Sequence, residues 1–120
     1  MQKTTLISGF IAVMACVSSM AKADVAREES VRASFYQDGA RTASGEKFNP
    51  GGLTAAHRTL PFGTRLKLVN KSNGKAVIVR VNDRGPFIQG RNLDVSRGAA
   101  VALGMVGSGV TTLQMTQLTP

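Results

Sequence analysis

Cysteine, histidine, tryptophan and acidic residues are all scarce in this sequence, and each scarcity closes a route. There is one cysteine, Cys16, one histidine, His57, and no tryptophan. A tetrahedral zinc site draws on several Cys and His ligands, so none is expected, and no cofactor is expected either. Paired C-x-x-C, H-E-x-x-H, G-x-S-x-G and phosphate-loop motifs are missing. Seven Asp and Glu stand against 15 Lys and Arg, a net charge of +8. No apolar run reaches the ~20 residues needed to span a bilayer.

The longest apolar stretch lies near the start. Lys3 precedes an apolar segment from Leu6 to Met20, and Ala21-Lys22-Ala23 follows as a small-residue cleavage signal. That order is the pattern of a secretory signal peptide over residues 1–23. The competing reading is a buried N-terminal helix. Val13-Met14-Ala15-Cys16 also resembles a lipid-attachment box, so an exported lipoprotein anchored through Cys16 stands as the alternative to simple secretion. In either case the chain is expected to leave the cytoplasm for the periplasm or cell envelope.

Cleavage after Ala23 would leave residues 24–120 with no cysteine, so one small domain must hold by core packing and hydrogen bonds alone. That part keeps 13 basic and 7 acidic residues, a net charge of +6. Such a surface attracts polyanions. Export argues against nucleic acid and for anionic cell-wall polymer or a membrane surface. Charge that serves only solubility is the plain alternative.

Residues 24–30 (DVAREES) read as a flexible lead-in, and the domain proper as 31–120. Short strands divided by Gly-rich turns point to an all-β barrel or sandwich. Val31 to Tyr36 is a first strand. Residues 37–53 form a loop long enough to be functional. Thr54 to His57 is a short strand. Arg65–Val69 and Ala76–Asn82 flank Lys71-Ser72-Asn73-Gly74, a hairpin signal because Asn and Gly both tolerate positive φ. Val77, Val79 and Val81 share one face of the returning strand, and Ile78 and Arg80 the other. Ser96 to Leu103 is the one helix, capped by Ser96 and ended by Gly104. Val110 to Leu118 closes the barrel.

From Gly39 onward only three carboxylates remain, Glu46, Asp83 and Asp94, and they share loop or strand-end positions with His57. Each has a plain structural role open to it. Asp83 is a good Asx-turn residue. Asp94, two before Ser96, is placed to brace the helix start. His57 fits a packed, backbone-bonded ring, and Glu46 a solvated loop. Composition and spacing reach no further than an exported β domain with a candidate acid/base cleft.

The run ASFYQDGARTASGEKFNPGGLTAAHRTLPFGTRLKLVN, followed by VIVRVNDRGPFIQGRNLDVSRGAAVALGM, resembles the rare lipoprotein A (RlpA) family from about Ala33 to Met105. The resemblance implies a six-stranded double-psi β-barrel with one short helix. It also implies lytic cleavage of peptidoglycan glycan strands between N-acetylmuramic acid and N-acetylglucosamine, leaving 1,6-anhydro ends. Glu46, His57 and Asp83 match the residues tied to catalysis, with Asp83 the acid/base. Tyr36, Arg84 and Asp94 are assigned to substrate binding. Phe35 stands where the family often has Trp, so one stacking surface is expected to be weaker. Peptidoglycan is the expected partner, the barrel is expected to act as a monomer, and septal targeting by a repeat domain is not expected. The competing class is an expansin-like module that binds and loosens glycan without cutting it.

Overall fold

The computed structural model describes residues 28–36 and 41–118. The signal-peptide and Cys16 expectations fall on residues outside these. Six strands appear in chain order: β1 (Glu28–Tyr36), β2 (Thr54–Ala56), β3 (Arg65–Asn70), β4 (Lys75–Asp83), β5 (Leu93–Ser96) and β6 (Thr111–Leu118). The helix α1 (Arg97–Ala102) lies between β5 and β6. The strands close into a barrel in the order β1-β5-β2-β4-β3-β6. Two pairs are parallel, β1 with β5 and β2 with β4, and the others antiparallel. This is the expected all-β barrel with one short helix.

Alternation along the strands sorts residues to two sides. Val31 and Ala33 of β1, Leu66 and Leu68 of β3, Val79 and Val81 of β4, Leu93 and Val95 of β5, and Leu113 and Met115 of β6 meet inside. Phe35, where a weaker stacking surface is expected, is partly buried and packs against this cluster. Ile78 faces out at 44% exposure.

Ser96 caps α1 as expected, its hydroxyl accepting from the Ala99 N–H at 3.3 Å. Gly104 follows the helix at φ +64. A side chain there would also strike the Asn73 amide, 2.8 Å from the built Cβ. The hairpin between β3 and β4 is a four-residue loop, with Asn70 paired to Lys75. Only Gly74 takes positive φ. Asn73 works through its side chain, accepting from the Lys75 N–H and donating to the Leu103 carbonyl.

Two boundaries differ from expectation. The lead-in is shorter than residues 24–30, because Glu28, Glu29 and Ser30 already pair with Thr116, Met115 and Gln114. Ladder hydrogen bonds at a barrel rim make no demand for apolar side chains. The four-residue β5 was not anticipated. Its two outward positions, Asp94 and Ser96, had been read as helix-start residues.

Candidate functional site

Three candidate residues lie on strands, Tyr36 at the end of β1, Asp94 on β5 and Asp83 at the end of β4, while Glu46, His57 and Arg84 lie in loops. Register places Ser34 of β1 opposite Asp94 of β5, Asp94 opposite Ala56 of β2, and Ala56 opposite Asp83 of β4. The two acids therefore flank one alanine on the outer face, their backbones two strand spacings apart, roughly 10 Å. Ala56 itself is buried, at 4% exposure.

Asp83 reaches that row because of a bulge. Ala55 pairs with Val81, yet the next residue, Ala56, pairs with Asp83, so Asn82 is the extra residue. Strict alternation after Val79 and Val81 would turn Asp83 into the core. The inserted residue re-aims it outward, a known use of bulges beside active sites. The Asp83 carboxylate is then fixed by two backbone donors, the N–H groups of Ala43 and Arg84, both 2.9 Å from Oδ1. Both bonds fall on Oδ1, and Oδ2 accepts none among the described residues.

Asp94 does not brace the helix. It lies on β5, half-buried, and its Oδ1 accepts from the Ser34 hydroxyl at 3.1 Å. Burial pushes its pKa up, the charge of Asp83 adds to the rise, and Ser34 and Arg91 oppose it. Two neighbouring carboxylates resist being charged together.

Tyr36 sits at the end of β1. Its ring lies against Phe48, 5.3 Å between centroids and tilted by 36°. Burial raises the pKa of its hydroxyl, Thr54 opposes the rise, and the charges of Asp83 and Asp94 add to it. The hydroxyl is buried with no hydrogen-bond partner among the described residues. Thr54 is near enough to act on it, but no hydrogen bond of good geometry joins the two. A buried orphan hydroxyl is costly, and here it sits within the field of both acids. The Tyr36 ring is thus half-buried and held on Phe48, with its hydroxyl in the field of both carboxylates.

His57 follows β2. Its Nδ1 accepts from the N–H groups of Thr59 and Leu60, both at 3.1 Å, and its own N–H donates to the Asp83 carbonyl at 3.2 Å. The lone pair on Nδ1 is therefore in use, which assigns the proton to Nε2. Burial lowers the ring's pKa, with Arg58 and Arg84 adding to the fall and Glu29 opposing it. His57 is thus a neutral Nε2–H donor near pH 7.

Arg84 is turned inward on its neighbours. Its Nη1 donates to the carbonyls of His57 and Leu60, at 3.2 and 2.8 Å, and its guanidinium lies 3.9 Å above the Phe62 ring. It secures the segment carrying His57, a role that sequence gave no sign of. Glu46 stands outside the row. Arg80 and Asn82 bond its carboxylate and hold its pKa at about 2, Arg80 contributing most.

A cavity of about 360 Å³ lined by Pro61, Phe62, Thr64, Arg65 and Gln117 lies beside β3 and β6, and none of the three acids borders it. Asp83 and Asp94 are both partly exposed on the side of the sheet away from the core. Among the described residues there is no cluster of His, Cys, Asp and Glu fit to hold a metal ion, and no helix long and apolar enough to cross a membrane.

A family model described as "Lytic transglycolase" matches residues 28–115. The "Probable endolytic peptidoglycan transglycosylase RlpA" of Nostoc sp. is 56% identical over 88 residues, which is 69% of this chain and 24% of that protein. The chain spans about a quarter to a third of the length of the curated relatives it matches. Among solved structures, a Streptomyces papain inhibitor aligns with a TM-score of 0.65 at 19% identity, over 78% of this chain and 96% of its own. An expansin of Clavibacter michiganensis aligns with a TM-score of 0.63 at 20% identity, over 78% and 51%. Similarity at that level concerns the barrel alone, and a barrel shared by an inhibitor and an expansin does not decide function.

Proposed function

Because the chain belongs to the lytic transglycolase family of double-psi β-barrels, we propose that it is an exported endolytic peptidoglycan transglycosylase. It would cut between N-acetylmuramic acid and N-acetylglucosamine. The observation that carries the reading is the row Asp94–Ala56–Asp83, which brings two partly exposed carboxylates to neighbouring positions of the sheet.

An ordinary glycosidase divides its work between two carboxylates, with water or an enzyme nucleophile attacking. A lytic transglycosylase uses the sugar's own C6 hydroxyl. A protonated carboxyl gives its proton to the leaving glycosidic oxygen as the bond to C1 breaks. The C6 hydroxyl closes on C1, and the same carboxyl takes the hydroxyl proton back. Atoms balance without water, and the intramolecular attack has the advantage of proximity. We assign Asp83 as the acid/base that meets the glycosidic oxygen. Asp94, its pKa raised by burial and by the charge of Asp83, is a less readily ionised neighbour of that acid. His57 offers its Nε2–H as a fixed neutral donor to the sugar, and the Tyr36 hydroxyl offers a second polar partner. Arg84 acts by holding the His57 loop. Asp94 borders the bound sugar beside them.

The proposed site of action is the cell envelope, after removal of residues 1–23; Cys16 anchoring is the alternative, and intact-mass analysis of the envelope protein separates the two. The test of activity is incubation of purified protein with peptidoglycan strands, with products read by mass spectrometry. Release of 1,6-anhydro muropeptides is expected. Glycan binding with no such product would replace the enzyme by an expansin-like binding module.

A further inference from the structure

Residues 41–47 form a small hairpin. Arg41 pairs with Lys47 as an antiparallel bridge, the Thr42 N–H donates to the Glu46 carbonyl at 2.9 Å, and the Gly45 N–H donates to the Thr42 carbonyl at 3.0 Å. The turn needs Gly45, at φ +91. Four ties bind this hairpin to the end of β4. The Ser44 N–H donates to the Asn82 carbonyl at 3.1 Å. Both terminal nitrogens of Arg80 bond the two Glu46 carboxylate oxygens. Asn82 Nδ2 donates to Glu46 Oε2 at 3.2 Å. The Ala43 N–H donates to Asp83 Oδ1 at 2.9 Å. Glu46 thus grips Arg80 and Asn82, while the same hairpin places a donor on the neighbouring acid.

We infer that Glu46 is a positioning residue for Asp83: its grip on Arg80 and Asn82 sets the hairpin so that the Ala43 N–H fixes Oδ1 of the Asp83 carboxylate. The inference rests on Asp83 being the acid/base, but the link itself exists without substrate. A two-pronged Arg–carboxylate pair restricts orientation as well as distance, which is what such a role requires. Glu46 is poorly suited to direct proton transfer, because a group with a pKa of about 2 carries almost no proton near neutrality. Asn82 joins the two halves of the device. As the bulge residue it turns Asp83 outward, and its side chain and carbonyl hold the hairpin that caps Asp83.

The test compares Glu46→Gln, Arg80→Gln and the double variant in the whole protein. Three quantities are read: kcat and KM for anhydro-product release, NMR hydrogen exchange of the Ala43 amide, and the carboxyl-carbon titration of Asp83. Each single variant is expected to lower kcat about 10-fold with little change in KM, since small misplacements of a reacting group are costly. Ala43 exchange should quicken, and the Asp83 titration should move. The double variant should be no worse than the poorer single, because both substitutions break one link. Unchanged Ala43 exchange and Asp83 titration in Glu46→Gln would overturn the inference. So would additive losses in the double variant, or a loss of ~10²-fold or more with Ala43 still protected, which would give Glu46 a direct part in the chemistry. If the wild type releases no anhydro product, the acid/base reading fails, and the exchange and titration measurements still decide the link.

Discussion

Glu46 on the β1–β2 hairpin and Asp94 on β5 are both carboxylates near the same strand end, and they are driven in opposite directions. Glu46 is exposed, held by a guanidinium and an amide, and its pKa falls to about 2. Asp94 is half-buried, has one hydroxyl donor, faces another acid, and its pKa rises. Chemical type is therefore a poor guide to role in this site. The charged form is penalised on the Asp94 side, where burial and the charge of Asp83 both act against it. The charge needed to hold a loop is kept where a cation meets it, on the Glu46 side. Asp83 lies between them, tied to the hairpin by the Ala43 N–H and coupled to Asp94 by charge.

The sharpest way to break this comparison is to remove the proton from its centre. Asp83→Asn keeps the shape, the turn propensity and an acceptor for the Ala43 and Arg84 N–H groups. Turnover is expected to fall by ~10²–10⁴, the range of general acid–base catalysis, with glycan binding and melting temperature close to wild type. Near wild-type release of anhydro products by Asp83→Asn would move the acid elsewhere, with Asp94 next in line.

Asp94→Asn separates the two regions by pH. A folded-state pKa raised above the usual 3.8 means that the folded form binds the proton more tightly than the unfolded chain. The associated stability is fully present below the unfolded pKa and is lost as pH rises through the folded pKa. Asn avoids that loss and still accepts from Ser34. Asp94→Asn is therefore expected to melt higher than wild type near pH 7, by about 1 °C to a few °C, with the gain vanishing as pH falls toward ~4. Its turnover should drop about 10-fold and lose wild-type pH dependence on the alkaline side. Thermal melts and rate profiles from pH 3 to 8 read both. A variant that melts lower than wild type at pH 7 would show that the carboxylate contributes a bond the amide cannot make.

Much of this arrangement was legible in the residues, and the reasons for the rest are physical. The Val77, Val79 and Val81 alternation marked a core-facing strand because period 2 survives any change of neighbours. Ser96 and Gly104 marked the helix ends because capping is local chemistry. The candidate residues themselves were found through scarcity and resemblance. Their grouping was less accessible. Leu93-Asp94-Val95-Ser96 alternates as a strand should, but four residues carry too little signal against a strong adjacent cap. The Asn82 bulge depends on pairing with Ala56, 26 positions away in the chain, so nothing near Asp83 announces which side it faces. The closure of the Tyr36 ring on Phe48 and the inward turn of Arg84 toward the His57 loop are likewise set by tertiary packing.

A smaller effect is expected at Tyr36, the residue whose hydroxyl answers to both acids. Tyr36→Phe keeps the ring on Phe48 and deletes an unpartnered buried hydroxyl. Losing one partner of a typical neutral hydrogen bond costs ~1 kcal/mol, so glycan affinity or KM should worsen about 5-fold if the hydroxyl meets the sugar. The melting temperature should hold or rise, because the hydroxyl has no hydrogen bond of good geometry among the described residues. Unchanged KM with a lowered melting temperature would make the hydroxyl structural.

The smallest expected effect is at the other pole of the comparison. Glu46 has a folded-state pKa held below its usual 4.5, at about 2. Its contribution to stability is therefore present above the unfolded pKa and is lost as pH falls from 4.5 toward 2. Exposed ion pairs are weak and screened by salt, so Glu46→Gln should lower the melting temperature at pH 7 by only ~1–2 °C. That difference should shrink further at high salt and close below pH 2. The wild-type and Glu46→Gln melting curves thus converge on acidification, as those of wild type and Asp94→Asn do, but from the opposite side. Glu46→Gln starts below wild type at neutral pH, and Asp94→Asn starts above it. If both variants started on the same side, the two carboxylates would not be driven apart by their surroundings. The division between a charge-keeping hairpin and a proton-keeping strand would then fail.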